Sequence, residues 1–218
     1  MTMIVWVLAA AMAAGLATLV WWAVQIWPRR RRCWEEAAAM LGLALSQGSP
    51  LHERFGALDY FRQGRARRTR ALLEGDGWRG KVFLGDHEYT MGSGQYSSRH
   101  RHTVCVVQGP RLALPHFSLR REIVLLDRLA ELFGGGDIDF EEDPEFSRTF
   151  HLRGSDAAAV RKVFSPAVRH FVLHSAGSKV VVEGREDLLL VHWSKPVRPE
   201  DASTVLQQAQ ELAQLLIA

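Results

Sequence analysis

The 218-residue sequence contains only two cysteines, Cys33 and Cys105. Two cysteines are too few for the disulfide framework of a small secreted domain, and such usage fits a reducing compartment. Cys105 lies in the apolar run Val104 to Val107, so we expect a buried thiol without the electropositive, open surroundings of a reactive one.

Several common catalytic motifs are also absent. The sequence has no G-x-S-x-G turn, no C-x-x-C pair and no H-E-x-x-H helix. Neither a Lys-Ser/Thr pair nor a helical pattern follows Gly92-Ser93-Gly94, so a phosphate-binding loop is not indicated. We therefore predict no catalytic residue, no cofactor and no metal site, and we favour a function other than catalysis.

Charge of one sign does not dominate the chain. There are 27 Lys and Arg against 24 Asp and Glu, a formal net charge of +3, and the run Arg29 to Arg32 supplies much of the excess. The rest is close to neutral, so bulk charge does not indicate a nucleic-acid partner.

Charge is missing altogether from Met3 to Trp27, where Thr18 and Gln25 interrupt an apolar run. This length suits the core of a bilayer. A cleaved signal peptide is the alternative, but no Lys or Arg precedes the run, which is longer than a typical signal h-region. The sequence thus predicts a transmembrane anchor over residues 1–28.

The predicted topology follows from Arg29 to Arg32, which come directly after the apolar run. The positive-inside rule places these arginines in the cytoplasm and the N-terminus outside. Residues 29–50 are then a basic juxtamembrane segment with a short amphipathic helix. The prediction is a single-pass protein of a bacterial inner membrane, with the lipid bilayer as one partner and a soluble cytoplasmic domain over residues 51–218.

Strand and helix patterns alternate irregularly after Pro50. Hairpins are predicted with turns at Gly75 to Gly77 and at Gly184, and the last helix opens at Pro199. No regular βαβ order appears, so the predicted class is α+β, with a mixed, mainly antiparallel sheet and about four packed helices. One of these helices is predicted to end near Phe133.

The acidic stretch DIDFEEDPEF runs from Asp137 to Phe146. The stretch does not match an EF-hand calcium loop. Counted from Asp137, such a loop needs Gly at the sixth position and Glu at the twelfth, and the sequence has Glu142 and Arg148 there. Asp137 and Asp139 remain candidate acid/base groups. We favour a structural connection in which Ile138 and Phe140 are buried, the carboxylates face water or the arginines between residues 62 and 70, and a strand begins near Phe146.

His100 and His102 form an H-x-H pair, which a strand would place on one face. Such pairs occur in metal sites, but no third ligand follows at a short spacing. His87 and His116 are possible third ligands only if the fold brings them close. The alternative is a strand end leaving the core for solvent.

Four stretches carry a resemblance to a known group of proteins. They are HRHTV (His100–Val104), LPHFSLR (Leu114–Arg120), DIDFEEDPEFSR (Asp137–Arg148) and FHLRG (Phe150–Gly154). Together they resemble uncharacterised bacterial proteins in which one N-terminal membrane helix precedes a soluble domain. The resemblance implies an inner-membrane location and assigns no catalytic residue, cofactor or partner.

Three hypotheses about function follow. The first is a tethered binding module or accessory subunit that contacts another membrane or cytoplasmic protein. The second is an enzyme that combines carboxylates of residues 137–145 with His100, His102 or His116. The third is a sensor of anionic lipid surfaces that uses Arg29 to Arg32 and the arginines between residues 62 and 70.

Overall fold

The computed structural model describes residues 30–46, 48–77, 79–121, 137–174 and 180–217, with a few isolated positions before residue 22. The predicted helix that ends near Phe133 lies outside the described residues.

Eight strands form one sheet in the order β1-β2-β3-β4-β8-β7-β5-β6. All of the pairings between them are antiparallel. The strands are β1 (Ala44–Leu45), β2 (Arg65–Gly77), β3 (Gly80–Met91), β4 (Ser98–Gln108), β5 (Leu114–Arg121), β6 (Phe150–Gly154), β7 (Val180–Glu186) and β8 (Leu188–Trp193).

Helices precede and follow the sheet and occupy several of the connections between its strands. They are α1 (residues 30–41), α2 (Leu51–Arg54), a 3-10 helix (Asp59–Arg62), α3 (Pro144–Thr149), α4 (Ala157–Val163), α5 (Pro166–His174) and α6 (Ala202–Leu215), which follows a 3-10 turn at Pro199–Asp201. The spacing of Val205, Ala209 and Leu212 predicted the buried face of α6, and the structure confirms it.

The sheet has a separate apolar core on each face. The first face packs against α1, α4, α5 and α6, and its core includes Trp34, Phe117 and Phe164. The second face packs against residues 51–62, which we name the cover segment, and its core includes Phe55, Phe61 and Phe83. Because side chains alternate along a strand, β2, β3, β4 and β8 contribute to both cores, whereas β5, β6 and β7 contribute apolar side chains to the first core.

Two irregularities bend the long strand β2. The register against β3 shifts between Arg65 and Arg68 and again between Arg70 and Leu73. Ala66 and Ala71, which lie within these shifts, both adopt φ of 51°. Bulges of this kind increase local twist, so β2 curls along its length.

A buried ion pair joins α1 to the first face of the sheet. Arg30 donates two hydrogen bonds to the carboxylate of Asp86, at 2.8 and 3.0 Å, and a third to the carbonyl of Val197 at 2.9 Å. Thr103 donates to the same carboxylate at 2.7 Å and accepts from the Val197 amide at 2.9 Å. Asp86 is only 1% exposed, so its charge depends on these partners.

The predicted fold class is wrong in two respects. The sheet is antiparallel throughout its described strands rather than mixed, because hairpins and short helices connect the strands without a parallel crossover. Moreover, no helix in the described ranges combines the length and apolarity needed to cross a membrane. Most of the predicted anchor, Met3 to Trp27, lies outside those ranges.

The predicted location depended on that anchor and is corrected with it. The structure does not support a single-pass protein of a bacterial inner membrane, since the described part of the chain has no helix suited to span one. Instead, Arg30 and Trp34, which the sequence placed in a juxtamembrane segment, lie in the packed body, where Trp34 is fully buried.

Local boundaries also differ from the predictions. The turn between β2 and β3 lies between Gly77 and Gly80, which pair with each other, whereas it was predicted at Gly75 to Gly77. The turn between β7 and β8 is at Asp187 rather than at Gly184. A helix, α3, replaces the strand expected from Phe146. Its cause is local, because Asp143 accepts a hydrogen bond from the Phe146 amide at 3.2 Å and Pro144 favours the first helical turn.

Replacing Gly184 with Ala should destabilise the sheet. An added Cβ would lie 2.2 Å from Cε1 of Phe117, a fully buried ring that packs edge-on against Phe164 at 4.9 Å. Overpacking of this kind costs about 1–3 kcal/mol in free energy of unfolding. Urea titration measures it, with Gly48→Ala as a matched control because its nearest neighbour is only the Ser46 hydroxyl. Equal losses in both variants would contradict the packing argument.

Removing the Arg30 guanidinium should leave the Asp86 charge buried without its main partner. We expect Arg30→Met to lower the free energy of unfolding by about 3 kcal/mol, and Asp86→Asn added to it to restore part of that loss. Arg31→Met is the control, since Arg31 forms an exposed pair with Glu35 at 3.1 Å and should cost under about 0.5 kcal/mol. Similar melting curves for Arg30→Met and Arg31→Met would refute the assignment.

Candidate functional site

Three side chains that can bind metals meet where the cover segment crosses the second face of the sheet. Asp59 starts the 3-10 helix, His116 lies on β5 and Glu183 on β7. Nε2 of His116 is 3.2 Å from Oδ2 of Asp59 and 3.9 Å from Oε1 of Glu183. The three ligand atoms lie within 4.8 Å of one another. Among the described residues this cluster has the donors and spacing of a metal site.

Backbone amides hold the carboxylate of Glu183 in place. The amide of Asp59 donates to Oε1 at 2.6 Å, and the amide of Tyr60 donates to Oε2 at 3.0 Å. These are the unpaired donors at the start of the 3-10 helix, so Glu183 acts as its cap from another strand. Glu183 is only 3% exposed, and this capping fixes its orientation.

Burial sets the protonation of this cluster. Burial, with a smaller contribution from the neighbouring Asp59 carboxylate, raises the pKa of Glu183 to about 7 against the opposing effects of the two amides and of Arg185. Burial also lowers the pKa of His116, which Asp59 offsets only in part. Glu183, a buried carboxyl group beside a second carboxylate, therefore binds and releases its proton near neutral pH.

A second cluster of buried polar side chains lies beside the first. Tyr60, His87, His102 and His192, which we name the histidine cluster, come from the 3-10 helix, β3, β4 and β8. The Tyr60 hydroxyl is 3.0 Å from Nδ1 of His102, whose ring stacks on His192 at 4.9 Å. Both ring nitrogens of His87 are buried without a hydrogen-bond partner. An unpaired buried imidazole is costly and favours the neutral form.

The titration of these side chains is strongly perturbed. Burial lowers the pKa of His87 to about 3 and of His102 to about 4, and lowers that of His192 well below its usual value. Burial also raises the pKa of Tyr60 well above its usual value. A general acid or base works best with a pKa near the ambient pH, so the histidine cluster is poorly suited to proton transfer.

The predicted candidates are distributed over opposite parts of the sheet. His102 belongs to the histidine cluster, and the His100 ring stacks on Tyr89 at 5.4 Å. Asp137 pairs with His151 and Arg153 on β6, whereas the Asp139 carbonyl accepts from Arg161. Three strands separate β4 from β6, a distance of about 19 Å at the usual strand spacing. The structure therefore does not bring the H-x-H pair and these aspartates together.

The acidic stretch is held by arginines other than those expected. Ile138 and Phe140 are buried as predicted, at 5% and 3% exposure. Asp143 pairs with the buried Arg169 at 2.9 Å, and the Arg169 guanidinium lies 4.2 Å from the Phe140 ring centre. Burial alone would raise the pKa of Asp137, but its hydrogen bonds from Arg153 and His151 outweigh this effect and lower it.

A cavity of about 570 Å³ lies between α1 and β2 and brings both arginine groups of the sequence together. Arg30 and Arg31 come from the run Arg29 to Arg32, and Arg70 comes from β2. Each has a carboxylate partner, since Arg30 pairs with Asp86, Arg31 with Glu35, and Arg70 with Glu88 at 3.9 Å. This internal neutralisation weakens the case for an anion there.

Reasoning from sequence missed the Asp59–His116–Glu183 cluster. His116 was considered as a third ligand for the H-x-H pair and as an acid/base partner of the acidic stretch, but not together with Asp59 and Glu183. Glu183 carried a detectable signal, because it is a single charge that follows the apolar run Val180 to Val182. Asp59 carried none.

Stability should fall as the pH drops from about 6.5 towards 4. In that window the unfolded chain protonates its histidines, whereas His87 and His102, with folded pKa values of about 3 and 4, stay neutral. Each such histidine contributes a slope of up to about 1.4 kcal/mol per pH unit. Glu183 acts in the opposite direction, because its folded pKa of about 7 lies above the unfolded value.

Denaturant melts at several pH values measure this slope. His87→Leu should flatten the profile, because it removes one group that only the unfolded state protonates. His170→Leu is the control, since His170 is exposed on α5. An unchanged slope in His87→Leu would contradict the assignment.

Comparisons with known proteins establish the fold only. No family model matches the chain, and no curated protein sequence matches it. A solved structure does match it: the crystal structure of the mycobacterial trehalose monomycolate transport factor A, TtfA, with 14% sequence identity and a TM-score of 0.58. The match covers 86% of this chain and 93% of that one, so the two proteins share the architecture of the whole body.

Proposed function

We propose that this chain is an accessory subunit that acts by binding another protein, in the service of a transport process. The observation that carries the proposal is the structural match over 86% of this chain and 93% of a mycobacterial transport factor. A match of that extent concerns the complete arrangement of sheet and helices rather than one common motif. Fold alone does not determine function, so the site must add support.

The chemistry of the buried groups supports binding over catalysis. The histidine cluster is held neutral by burial, and His102 and Tyr60 use their polar atoms on each other at 3.0 Å. Three carboxylates of the acidic stretch, those of Asp137, Glu142 and Asp143, are paired with Arg153 or Arg169. Side chains whose polar atoms are satisfied by one another in this way stabilise the folded structure, whereas a catalytic group must be available to a substrate.

One surface is suited to a protein partner. Ser118 and Arg120 on β5, with His151 and Arg153 on β6, alternate with core residues and so share the second face of the sheet. We name these four the polar half-face. All four are half-buried, and burial together with Arg153 lowers the pKa of Arg120. Two guanidiniums near the single carboxylate of Asp137 favour a partner segment that carries acidic side chains.

The other two hypotheses gain less from the structure. The enzyme hypothesis required His100, His102 or His116 in one pocket with acidic-stretch carboxylates. Three strands separate β4, which carries His100 and His102, from β6, and His116 pairs with Asp59 instead. The lipid-sensor hypothesis required arginines whose guanidinium groups can contact lipid headgroups. However, Arg67 donates to the carbonyls of residues 62, 63 and 64, and Arg62 lies 3.7 Å from Asp59. These contacts leave less positive charge for a lipid surface.

Quantitative affinity purification tests the proposal. The full chain, carrying a tag and produced at its native level in its own cells, should recover one partner at constant stoichiometry. Arg120→Glu with Arg153→Glu should reduce that recovery more than about tenfold if acidic side chains dock on the polar half-face. Lys81→Glu with Arg111→Glu is the matched charge reversal, because both positions are exposed and lie away from β5 and β6.

Two results would count against the proposal. A chain that migrates alone, at its own mass, in every extract would exclude a stable accessory role. Equal loss of the partner in both double variants would exclude the polar half-face, leaving the binding role to be mapped elsewhere. Circular dichroism of each variant separates loss of binding from loss of fold.

A further inference from the structure

We propose that Asp59, His116 and Glu183 form a binding site for one divalent transition-metal ion, with zinc as its simplest probe. The site is independent of the proposed accessory role, because it lies beneath the cover segment rather than on the polar half-face.

The distances between the ligand atoms fit a tetrahedral ion. Zinc bonds to nitrogen and oxygen at about 2.0–2.2 Å, which separates tetrahedral ligand atoms by about 3.3 Å. His116 Nε2 lies 3.2 Å from Asp59 Oδ2 and 3.9 Å from Glu183 Oε1, and all three ligand atoms lie within 4.8 Å of one another, so coordination would draw the Glu183 carboxylate closer to the other two ligands. One nitrogen and two oxygens are a known zinc donor set, and the fourth position is left for water.

The ligands are held by a second layer of contacts. Glu183 receives the amides of Asp59 and Tyr60, and Arg62 lies 3.7 Å from Oδ1 of Asp59, the oxygen that is not directed at His116. Ser155 donates its amide to the His116 carbonyl at 3.2 Å. Metal sites depend on outer contacts of this kind, which orient each ligand before the ion arrives.

A β-bulge directs His116 towards the other two ligands. Leu114 pairs with Glu186 whereas Phe117 pairs with Gly184, so β5 has one residue more than β7 over this stretch. As a result Leu114 and Phe117 both face the first core despite their odd spacing. Bulges are frequent beside functional sites because they re-aim a side chain, and here the extra residue allows His116 to face Glu183.

The charge balance also favours a cation. Asp59 and Glu183 are 8% and 3% exposed, and they present two carboxyl groups to one imidazole. Arg185, the nearest cation on β7, gives its guanidinium to the Ala57 carbonyl at 3.0 Å. Two buried carboxyl groups repel when both are ionised, and a divalent ion would neutralise that charge.

Such an ion would have a structural consequence. Asp59 belongs to the cover segment, and His116 and Glu183 belong to the sheet, so coordination would clamp the two layers together. An ion bound only by the folded state stabilises that state by mass action. The competing explanation is a hydrogen-bonded latch without metal, in which His116 donates to Asp59 and Glu183 only caps the 3-10 helix.

Zinc titration of the full chain, stripped with a chelator, distinguishes the two explanations. Equilibrium dialysis at pH 7.5 should recover one zinc per chain, and zinc should raise the melting temperature in a concentration-dependent way. Asp59→Asn keeps an oxygen for His116 but is a poorer ligand, so it should weaken zinc binding more than about tenfold and remove the thermal shift. Co²⁺ in place of zinc should give the visible absorption of a tetrahedral site.

A matched control excludes surface chelation. His170 and His174 lie one turn apart on the exposed side of α5, with rings stacked at 4.3 Å, and could bind zinc adventitiously. His170→Ala with His174→Ala should leave one zinc per chain and the thermal shift intact. His116→Ala should abolish both, and circular dichroism without metal shows whether that variant folds.

Three outcomes would overturn the proposal. They are absence of zinc in wild-type dialysis, zinc binding that the α5 double variant removes, and zinc binding that Asp59→Asn leaves unchanged. None depends on a protein partner, so failure here would not affect the accessory role, and loss of the partner would not affect the metal site.

Discussion

The ion pair between Arg30 and Asp86 determines how α1 lies on the sheet. The Asp86 carboxylate is 1% exposed and accepts hydrogen bonds from Arg30 on α1 and from Thr103 on β4. Arg30 and Thr103 also bind the backbone of Val197, in the segment that leads into α6. A charge this deeply buried is tolerated only when all of these partners are in place. The pair therefore couples the first helix, the central strands and the last helix, and the apolar core around Trp34 can close only in that arrangement.

The two faces of the sheet are built on different principles. The first face buries large apolar side chains under helices, with Arg30 and Asp86 as its main polar contact. The second face combines an apolar core around Phe61 and Phe83 with the histidine cluster and the carboxyl groups of Asp59 and Glu183. That composition makes the second face the more sensitive to protons and ions.

The sequence was most informative where structure depends on local spacing. The buried positions of α6, the burial of Cys105 and the anchoring of Phe140 follow from periodicity and composition, and the structure confirms each. The fold class and the membrane assignment were wrong, and α3 was missed, since Asp143 and Pro144 start a helix too short for its period to be visible. The candidate metal site was beyond reach for another reason. Its ligands lie 124 residues apart along the chain, at most, and meet only through strand order and a bulge in β5.

The curl of β2 affects how the chain behaves beside copies of itself. β1 spans two residues and pairs only with Leu73 and Glu74, so Arg65 to Leu72 form the outer edge of the described sheet. A flat, exposed edge strand invites addition of strands from other molecules, the first step towards aggregates. Here two register shifts distort the pattern of amides and carbonyls, and the exposed Arg65 and Arg68 place repelling charges along the edge. An edge with this curl and these charges disfavours edge-to-edge pairing with the sheet of another copy of the chain.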